Sequence, residues 1–329
     1  MSQTFKGNPI GGLFAAVALW AGLAASVAAD QGAIHIVVGY PAGATADSLT
    51  RVVAEQMAKT LNQTVIVDNK AGAGGRIGNE TVKAAPPDGT TLLMTPVATM
   101  SIFPHSYAGQ LRYDPFKDFV PVAHLSNFQL GLAVSAQVPA RTLAEYVALV
   151  KADPGKNGFY ASAAAGSLPH FFGVMFARSA GIQLTHVPYK GTAPAMQALA
   201  AGEVAALSTV VADIKSVVDA GKARLLAVAG DRRDATMPDV PTFRELGYAD
   251  LVAQPWYALF APAGTPSAVV DRLSKAAIAA VQDPATRKRL IDMSLEPTGY
   301  GPERLASIMK DDYDRWGPVI RASEFKPEQ

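Results

Sequence analysis

The chain has 329 residues, with 29 Lys and Arg against 28 Asp and Glu, 49% hydrophobic residues and no cysteine. This near-neutral balance leaves no electrostatic footprint for nucleic acid or for an anionic membrane surface. The lack of cysteine excludes disulfides, thiolate metal sites, cysteine nucleophiles and a lipid-modified cysteine together, and the length suggests two domains held by their cores alone.

The N-terminus carries one basic residue, Lys6, and then an apolar stretch from Ile10 to Ala29 that ends in small residues, Ser26-Val27-Ala28-Ala29. That pattern reads as a cleaved export signal over residues 1–29. A membrane anchor is the competing reading, since the stretch is nearly long enough to span; the small-residue end favours cleavage. No later segment is apolar for long enough to cross a bilayer.

The rest alternates β-branched runs with amphipathic segments, as α/β folds do. His35-Ile36-Val37-Val38 opens as a strand, and Leu49, Val52, Val53, Met57 and Leu61 recur at helical spacing after it. Val65-Ile66-Val67 is the next strand, Ile77 to Ala85 the next helix, and Pro86-Pro87-Asp88-Gly89 a turn leading into Thr91-Leu92-Leu93-Met94. An extended stretch from Phe119 to Ser135 is long enough to pass between two lobes, and Thr142 with Glu145 forms a capping box for a helix to about Ala152.

A second α/β unit follows, with strands near Phe159-Tyr160, Leu184-Thr185 and Val204 to Ser208, and helices after Gly166, at Ala193 to Ala201 and from Asp213 to Ala220. Leu225-Leu226-Ala227-Val228 is a further strand and the expected return crossing. The remainder, with the run Trp256 to Phe260 and three helices, should rejoin the first lobe. The expected lobes are therefore 30–127 with 230–329, and 128–229.

Three loops of small residues each follow a strand and open a helix: Pro41 to Thr45, Ala71 to Gly75, and Ser162 to Ser167. Helix N-termini expose unpaired N–H groups and a partial positive charge, which suits an anion. One such loop alone would be no more than a tight turn; three in one chain point to a cleft that holds a carboxylate on backbone. Gly72, Gly74, Gly75 and Gly78 approach a dinucleotide fingerprint, but the last glycine comes one residue late.

Catalytic constellations are thin. None of His35, His105, His124, His170 and His186 is paired at zinc spacing, and no G-x-S-x-G elbow occurs. Ser167 and His170, three apart at a helix start, are the one pair a secreted hydrolase could use, and no acidic third member is evident. Ser167 is read instead as a ligand hydroxyl or helix cap and His170 as a cleft-lining group, whereas His35 and His124 are read as structural. Asp47 either complements its helix dipole or accepts a donor from the ligand. Phe103, Phe128, Tyr189 and Trp256 are candidate walls, with core packing expected for at least two of them.

The run Val38-Gly39-Tyr40-Pro41-Ala42-Gly43 with Asp47 resembles the opening of the tripartite tricarboxylate transporter receptors, the Bug family. The resemblance continues through Val65 to Gly75, Pro87 to Leu93, Ala165-Gly166-Ser167 with His170, Val187 to Gly191, Asp239 to Phe243 and Ala261 to Pro266, in the family's order. It implies a periplasmic binding protein of type II, with two α/β lobes joined by two crossing strands and no enzymatic activity or cofactor. It also implies a small carboxylate ligand, aliphatic or aromatic, and as partners the membrane subunits of such a transporter or a sensor kinase, with the chain itself a monomer.

By position, the resemblance places ligand contacts at Tyr40, Gly43, Ala44, Thr45 and Asp47, at Ser162, Ala165, Gly166, Ser167 and His170, and at Thr209. Two departures stand out: the family's paired glycines are Gly43-Ala44 here, and its opening phenylalanine is Tyr40.

Overall fold

The computed structural model describes residues 1–4, 32–323 and 325–327. The expected export signal, beyond its first four residues, lies outside the described residues.

The chain first builds β1 (Ile34–Val38), α1 (Thr45–Leu61), β2 (Val65–Asn69), α2 (Arg76–Lys83) and β3 (Thr91–Pro96). A π-helical turn at Ala98–Ile102 runs into the short α3 (Phe103–Ser106), and β4 (Phe119–Phe128) follows. Next come β5 (Leu130–Ser135), α4 (Leu143–Ala152), α5 (Pro154–Asn157), β6 (Phe159–Ser162), α6 (Leu168–Ala180), β7 (Thr185–Pro188), α7 (Thr192–Ala201), β8 (Ala206–Val210), α8 (Val211–Asp219) and β9 (Ala223–Val228). The chain ends with β10 (Trp256–Pro262), α9 (Ser267–Gln282), α10 (Pro284–Asp292), β11 (Leu295–Tyr300) and α11 (Pro302–Ala322).

These strands form two sheets, β11-β4-β10-β3-β1-β2 and β7-β6-β8-β5-β9. In the first, β1, β2 and β3 are parallel, while β10 and β11 run antiparallel to β4. In the second, β6, β7 and β8 are parallel and β5 pairs antiparallel with β8 and β9. Local chemistry explains the helices between them. Leu49, Val52, Val53 and Met57 bury one side of α1, which stops at Asn62 in the left-handed region. The capping box at Thr142 and Glu145 opens α4, which runs to Ala152 as its sequence predicts.

The outward crossing is short. β4 ends at Phe128 in the first sheet, and β5 begins at Leu130 in the second. The return differs from expectation: Leu225 to Val228 belongs to β9, an edge strand paired with β5, and does not itself cross. The crossing comes after it, where Ala229 N–H donates to Leu130 O and Ala253 N–H to Ala229 O before β10 rejoins the first sheet. Two other strands sit later than read, β7 reaching Pro188 and β8 covering Ala206–Val210.

This topology positions the site. The carboxyl ends of parallel strands are where α/β sheets present their loops to a ligand. Here β1 feeds α1 and β2 feeds α2, and on the other side β6, β7 and β8 feed α6, α7 and α8. The two sets of ends face each other: Thr45 Oγ1 donates to Asp213 Oδ1 at 3.1 Å, and Tyr107 Oη donates to Ala165 O at 3.3 Å.

Candidate functional site

Four helices that open on this cleft lack a side-chain cap. The N-cap residues are Ala44 for α1, Gly75 for α2, Gly191 for α7 and Val210 for α8, and none accepts a hydrogen bond from its helix. Elsewhere Thr142, Asp153 and Asp283 cap α4, α5 and α10, while α3, α9 and α11 are uncapped, and at the cleft itself Ser167 caps α6. The first-turn N–H groups of α1, α2, α7 and α8 take no side-chain cap and are open to an anion.

The first-lobe loop is shaped by Asp47, which is 2% exposed. Its Oδ2 accepts Gly43 N–H at 2.9 Å and Arg51 Nε at 3.0 Å, and its Oδ1 accepts Asn69 Nδ2 at 2.9 Å. Asn69 also donates to Tyr40 O at 3.0 Å, so one amide ties the loop's start to its end. Burial pushes the Asp47 carboxyl up, but the hydrogen bonds from Arg51, Gly43 and Asn69 outweigh it and hold the group below its ordinary value. Both oxygens are occupied, so Asp47 fixes the loop from below. Tyr40 donates its hydroxyl to Gly74 O at 3.1 Å, joining the first loop to the second.

Gly39 shows why the second loop is glycine-rich. A Cβ there would lie 2.6 Å from Gly75 O, and one on Gly78 would lie 2.8 Å from Gly39 Cα. These glycines let the start of α2 pack against the end of β1, which accounts for the run without a dinucleotide.

The second-lobe loop is held by neutral groups. Ser162 Oγ donates to Ala164 O at 2.9 Å and lies 2.7 Å from His186 Nε2, so His186 supplies the proton of that second contact. His186 stacks on His170 with centroids 3.9 Å apart. His170 Nδ1 accepts Gly166 N–H at 3.1 Å. Burial lowers His170 to about 4, and burial together with the neighbouring His170 lowers His186 to about 3.

Ser167 donates to Ala164 O at 2.7 Å and caps α6 by accepting His170 N–H at 3.4 Å. Its hydroxyl is engaged with a carbonyl and the His170 ring with a backbone amide, so the two side chains form no nucleophile–base pair. His170 is buried beneath the loop instead of lining an open face. Gly166 takes a positive φ of 71°, and a Cβ there would meet Phe325 at 2.7 Å.

Thr209 is buried in β8 opposite Gly131, four positions before Asp213. The residues the sequence singled out therefore converge at the facing strand ends, with Asp47, Ser162 and His170 beneath the loops and Gly43, Ala44, Thr45 and Ala165 on top.

Several residues there escaped the sequence. Asp213 sits in the first turn of α8 and reads there as a dipole partner; its place after a parallel strand is the clue. Tyr107 carries the Arg76 guanidinium 4.2 Å above its ring and touches Phe325 edge-on. Phe325 itself packs on His170 and Phe171, bringing the chain's end to the second lobe.

The expected aromatic walls divide. Trp256 is fully buried and donates to Asp312 at 2.8 Å, and Phe128 stacks on Tyr257 at 4.6 Å; both are core. Phe103 is buried beneath Gly74, and Tyr189 is half-buried beside the second lobe's core. His35 bonds Asp68 at 2.7 Å and His124 bonds Thr298 at 2.6 Å, in structural settings.

A polar cavity of about 630 Å³ opens elsewhere, between β4, β11 and α11, lined by His124, Arg244, Arg304 and Asp312 among others. Within it Arg244 pairs with Asp231 at 3.0 Å and Asp312 accepts the Trp256 indole N–H at 2.8 Å. Among the described residues no cluster of three His, Asp or Glu could hold a metal, and no helix is long and apolar enough to cross a membrane.

Comparison with known proteins agrees with this architecture. Protein BugT of Bordetella pertussis is 32% identical over 318 residues, 96% of each chain. MatC from Rhodopseudomonas palustris, solved with bound malate, has a TM-score of 0.78 at 32% identity, covering 88% of this chain and 99% of that one. R. palustris Rpa4515, solved with adipate, has a TM-score of 0.83 at 27% identity, covering 91% and 99%. Residues 49–325 match the family described as "Tripartite tricarboxylate transporter family receptor". The two-lobe fold is that of periplasmic binding proteins, and the chain belongs to the tripartite tricarboxylate transporter receptor family.

Proposed function

We propose that this chain is an exported receptor that closes its two lobes over a small carboxylate and delivers it to the membrane subunits of a tripartite tricarboxylate transporter. The observation that carries the reading is the set of uncapped helix N-termini of α1, α2, α7 and α8 around one cleft. A carboxylate there accepts N–H groups that no side chain of the protein takes, and it meets the positive ends of the helix dipoles. Contacts come from Tyr40, Gly43, Ala44 and Thr45 on one lobe and from Ala165, Gly166 and Ser167 on the other, with the N–H groups of Gly43 and Gly166 themselves held by Asp47 and His170. Thr209 lies at the floor, and Asp47, Ser162 and His170 act by holding those loops in shape.

The lobes are 30–127 with 230–329, and 128–229, except that Met237, Val240, Phe243 and Tyr248 pack on the second lobe, Phe243 against Phe172 and Phe176; the protein works as a periplasmic monomer and performs no chemistry on its ligand. Malate bound by MatC and adipate bound by Rpa4515 point to the same ligand chemistry. The engaged states of Ser167 and His170 favour binding over hydrolysis.

The test is a thermal-shift screen of ligand-stripped protein against aliphatic and aromatic carboxylates. A saturable rise in Tm is expected, equivalent to about 2.7 kcal/mol at a hundredfold excess over Kd. A flat response across the panel would remove the carboxylate assignment.

A further inference from the structure

Asp47 and Asp213 both lie at the facing strand ends, and among the described residues Asp47 has a cation partner while Asp213 has none. Asp47 is matched by Arg51 at 2.9 Å. Asp213, half-buried in the first turn of α8, accepts a single hydrogen bond, from Thr45 Oγ1 of the opposite lobe at 3.1 Å. Among the described residues its other oxygen has no hydrogen-bond donor, and no Lys, Arg or His forms an ion pair with it. Burial accordingly pushes the Asp213 carboxyl above its ordinary value, with the Thr45 bond working against that rise.

The α8 N-terminus and the Thr45 hydroxyl meet part of that charge, but no cation does. Tyr257, from β10, is close enough for the Asp213 charge to help hold its phenolic proton. The Tyr257 hydroxyl likewise has no hydrogen-bond partner among the described residues. The Tyr40 hydroxyl is already committed to Gly74 O. A carboxylate oxygen of Asp213 and the Tyr257 phenol are therefore without a protein partner among the described residues and are open to a ligand, with Asp213 bonded to Thr45 at the start of α1.

We infer that Asp213 sets ligand specificity, receiving a protonated amine at one end of a ligand whose carboxylate lies on the helix N-termini. The inference rests on the carboxylate-binding reading above and narrows its ligand class. An ammonium facing Asp213 makes a charge-assisted hydrogen bond and supplies the missing cation. A second carboxylate in the same place would set two like charges together, which works as rejection rather than as weak binding. The Tyr257 hydroxyl, lying alongside, accepts a further ammonium proton.

The experiment measures binding of ω-amino acids, from glycine to 6-aminohexanoate, by calorimetry. Each is compared with the dicarboxylate in which a carboxylate replaces the ammonium. Wild-type protein is expected to favour the amino acid of the best-bound pair by about tenfold or more, equivalent to about 1.4 kcal/mol. Asp213→Asn should bring that pair to within about threefold, about 0.65 kcal/mol, by weakening the amino acid and strengthening the diacid.

The wild-type comparison needs no variant, so a folding defect in Asp213→Asn leaves the inference testable. Preference for dicarboxylates in the wild type, or a ratio unchanged by Asp213→Asn in a folded variant, overturns it while carboxylate binding stands. Absence of binding by both series overturns this inference, and a flat response of the aromatic acids in the thermal-shift panel as well overturns the carboxylate reading.

Discussion

Loops 39–44 and 163–167 share one local plan, a strand end, small residues and a helix N-terminus, yet they are held by opposite chemistry. Beneath the first, a carboxylate gathers a backbone N–H, a guanidinium and an amide: Gly43, Arg51 and Asn69 all bond Asp47. Beneath the second, two stacked neutral imidazoles do the same work, His170 accepting Gly166 N–H and His186 bonding Ser162. In both, side-chain polar groups are turned inward to fix the loop. The start of α1 is left without a side-chain cap, while Ser167 caps the start of α6 through a long bond of 3.4 Å. A binding surface made of backbone needs an understructure of side chains, and that understructure can be charged or neutral without altering the surface.

The sharpest way to break the comparison is Asp47→Ala. It strips the acceptor from Gly43, Arg51 and Asn69 at once, whereas no single histidine change does as much to the second loop. Hydrogen bonds of this kind contribute about 1 kcal/mol each. Arg51 is half-exposed, so its ion pair adds less than a buried one. We expect a stability loss of about 2–3 kcal/mol in urea unfolding, with ligand affinity falling in parallel. A loss below about 0.5 kcal/mol would show that the loop keeps its shape without the network.

Acidification should separate the two loops. His170 and His186 are lowered to about 4 and about 3 in the folded protein, against about 6.5 unfolded. For a base with a lowered pKa, the unfolded chain takes up protons first. The contribution of the neutral stack is therefore full above about pH 6.5 and declines as pH falls towards 4. Asp47 is held below its ordinary value, so its contribution persists through that window and is lost only at lower pH. His124 also titrates low, at about 4, through burial. The share of the second loop is thus the difference between wild type and a His170→Gln/His186→Gln variant. The urea midpoint of the wild type should fall more between pH 7 and pH 5 than that of the double variant; identical slopes would refute a neutral imidazole stack.

Much of this was legible in the sequence, and the remainder was hidden for physical reasons. Strand–loop–helix units could be read because apolar periodicity and small-residue loops are local, and the Thr142–Glu145 box located its helix from start to finish. Strand β11 was missed because Pro297 and Gly299 argue against a strand; it pairs at the sheet edge with an irregular register, where both are tolerated. The turn at Ala98–Ile102 was missed because Pro104 interrupts any helical pattern, although it falls within the first turn of α3, where its missing N–H costs nothing. His186 as the companion of His170, and Phe325 against Gly166, are contacts between distant segments with no local signature. Trp256 lies at a strand end, as a wall residue would, but the indole turned into the core to reach Asp312.

The smallest effect belongs to Ser167→Ala, and it probes whether the second loop depends on its cap or on its histidines. The Ser167 hydroxyl donates to Ala164 O at 2.7 Å, while its cap bond to His170 N–H is long at 3.4 Å. The imidazoles remain in place without it, since His170 still accepts Gly166 N–H and His186 still bonds Ser162. Loss of a cap of this type costs about 1 kcal/mol, and the long bond puts the expectation at the lower end of the range. Ligand affinity should drop by no more than a fewfold, because the cleft-facing amides stay where the histidines hold them. A loss as large as that of Asp47→Ala would make Ser167 the true anchor of the second loop and reduce the imidazole stack to packing. Neither wild type nor variant should turn over ester substrates, since the His170 ring already accepts a backbone proton and is not positioned to take one from Ser167.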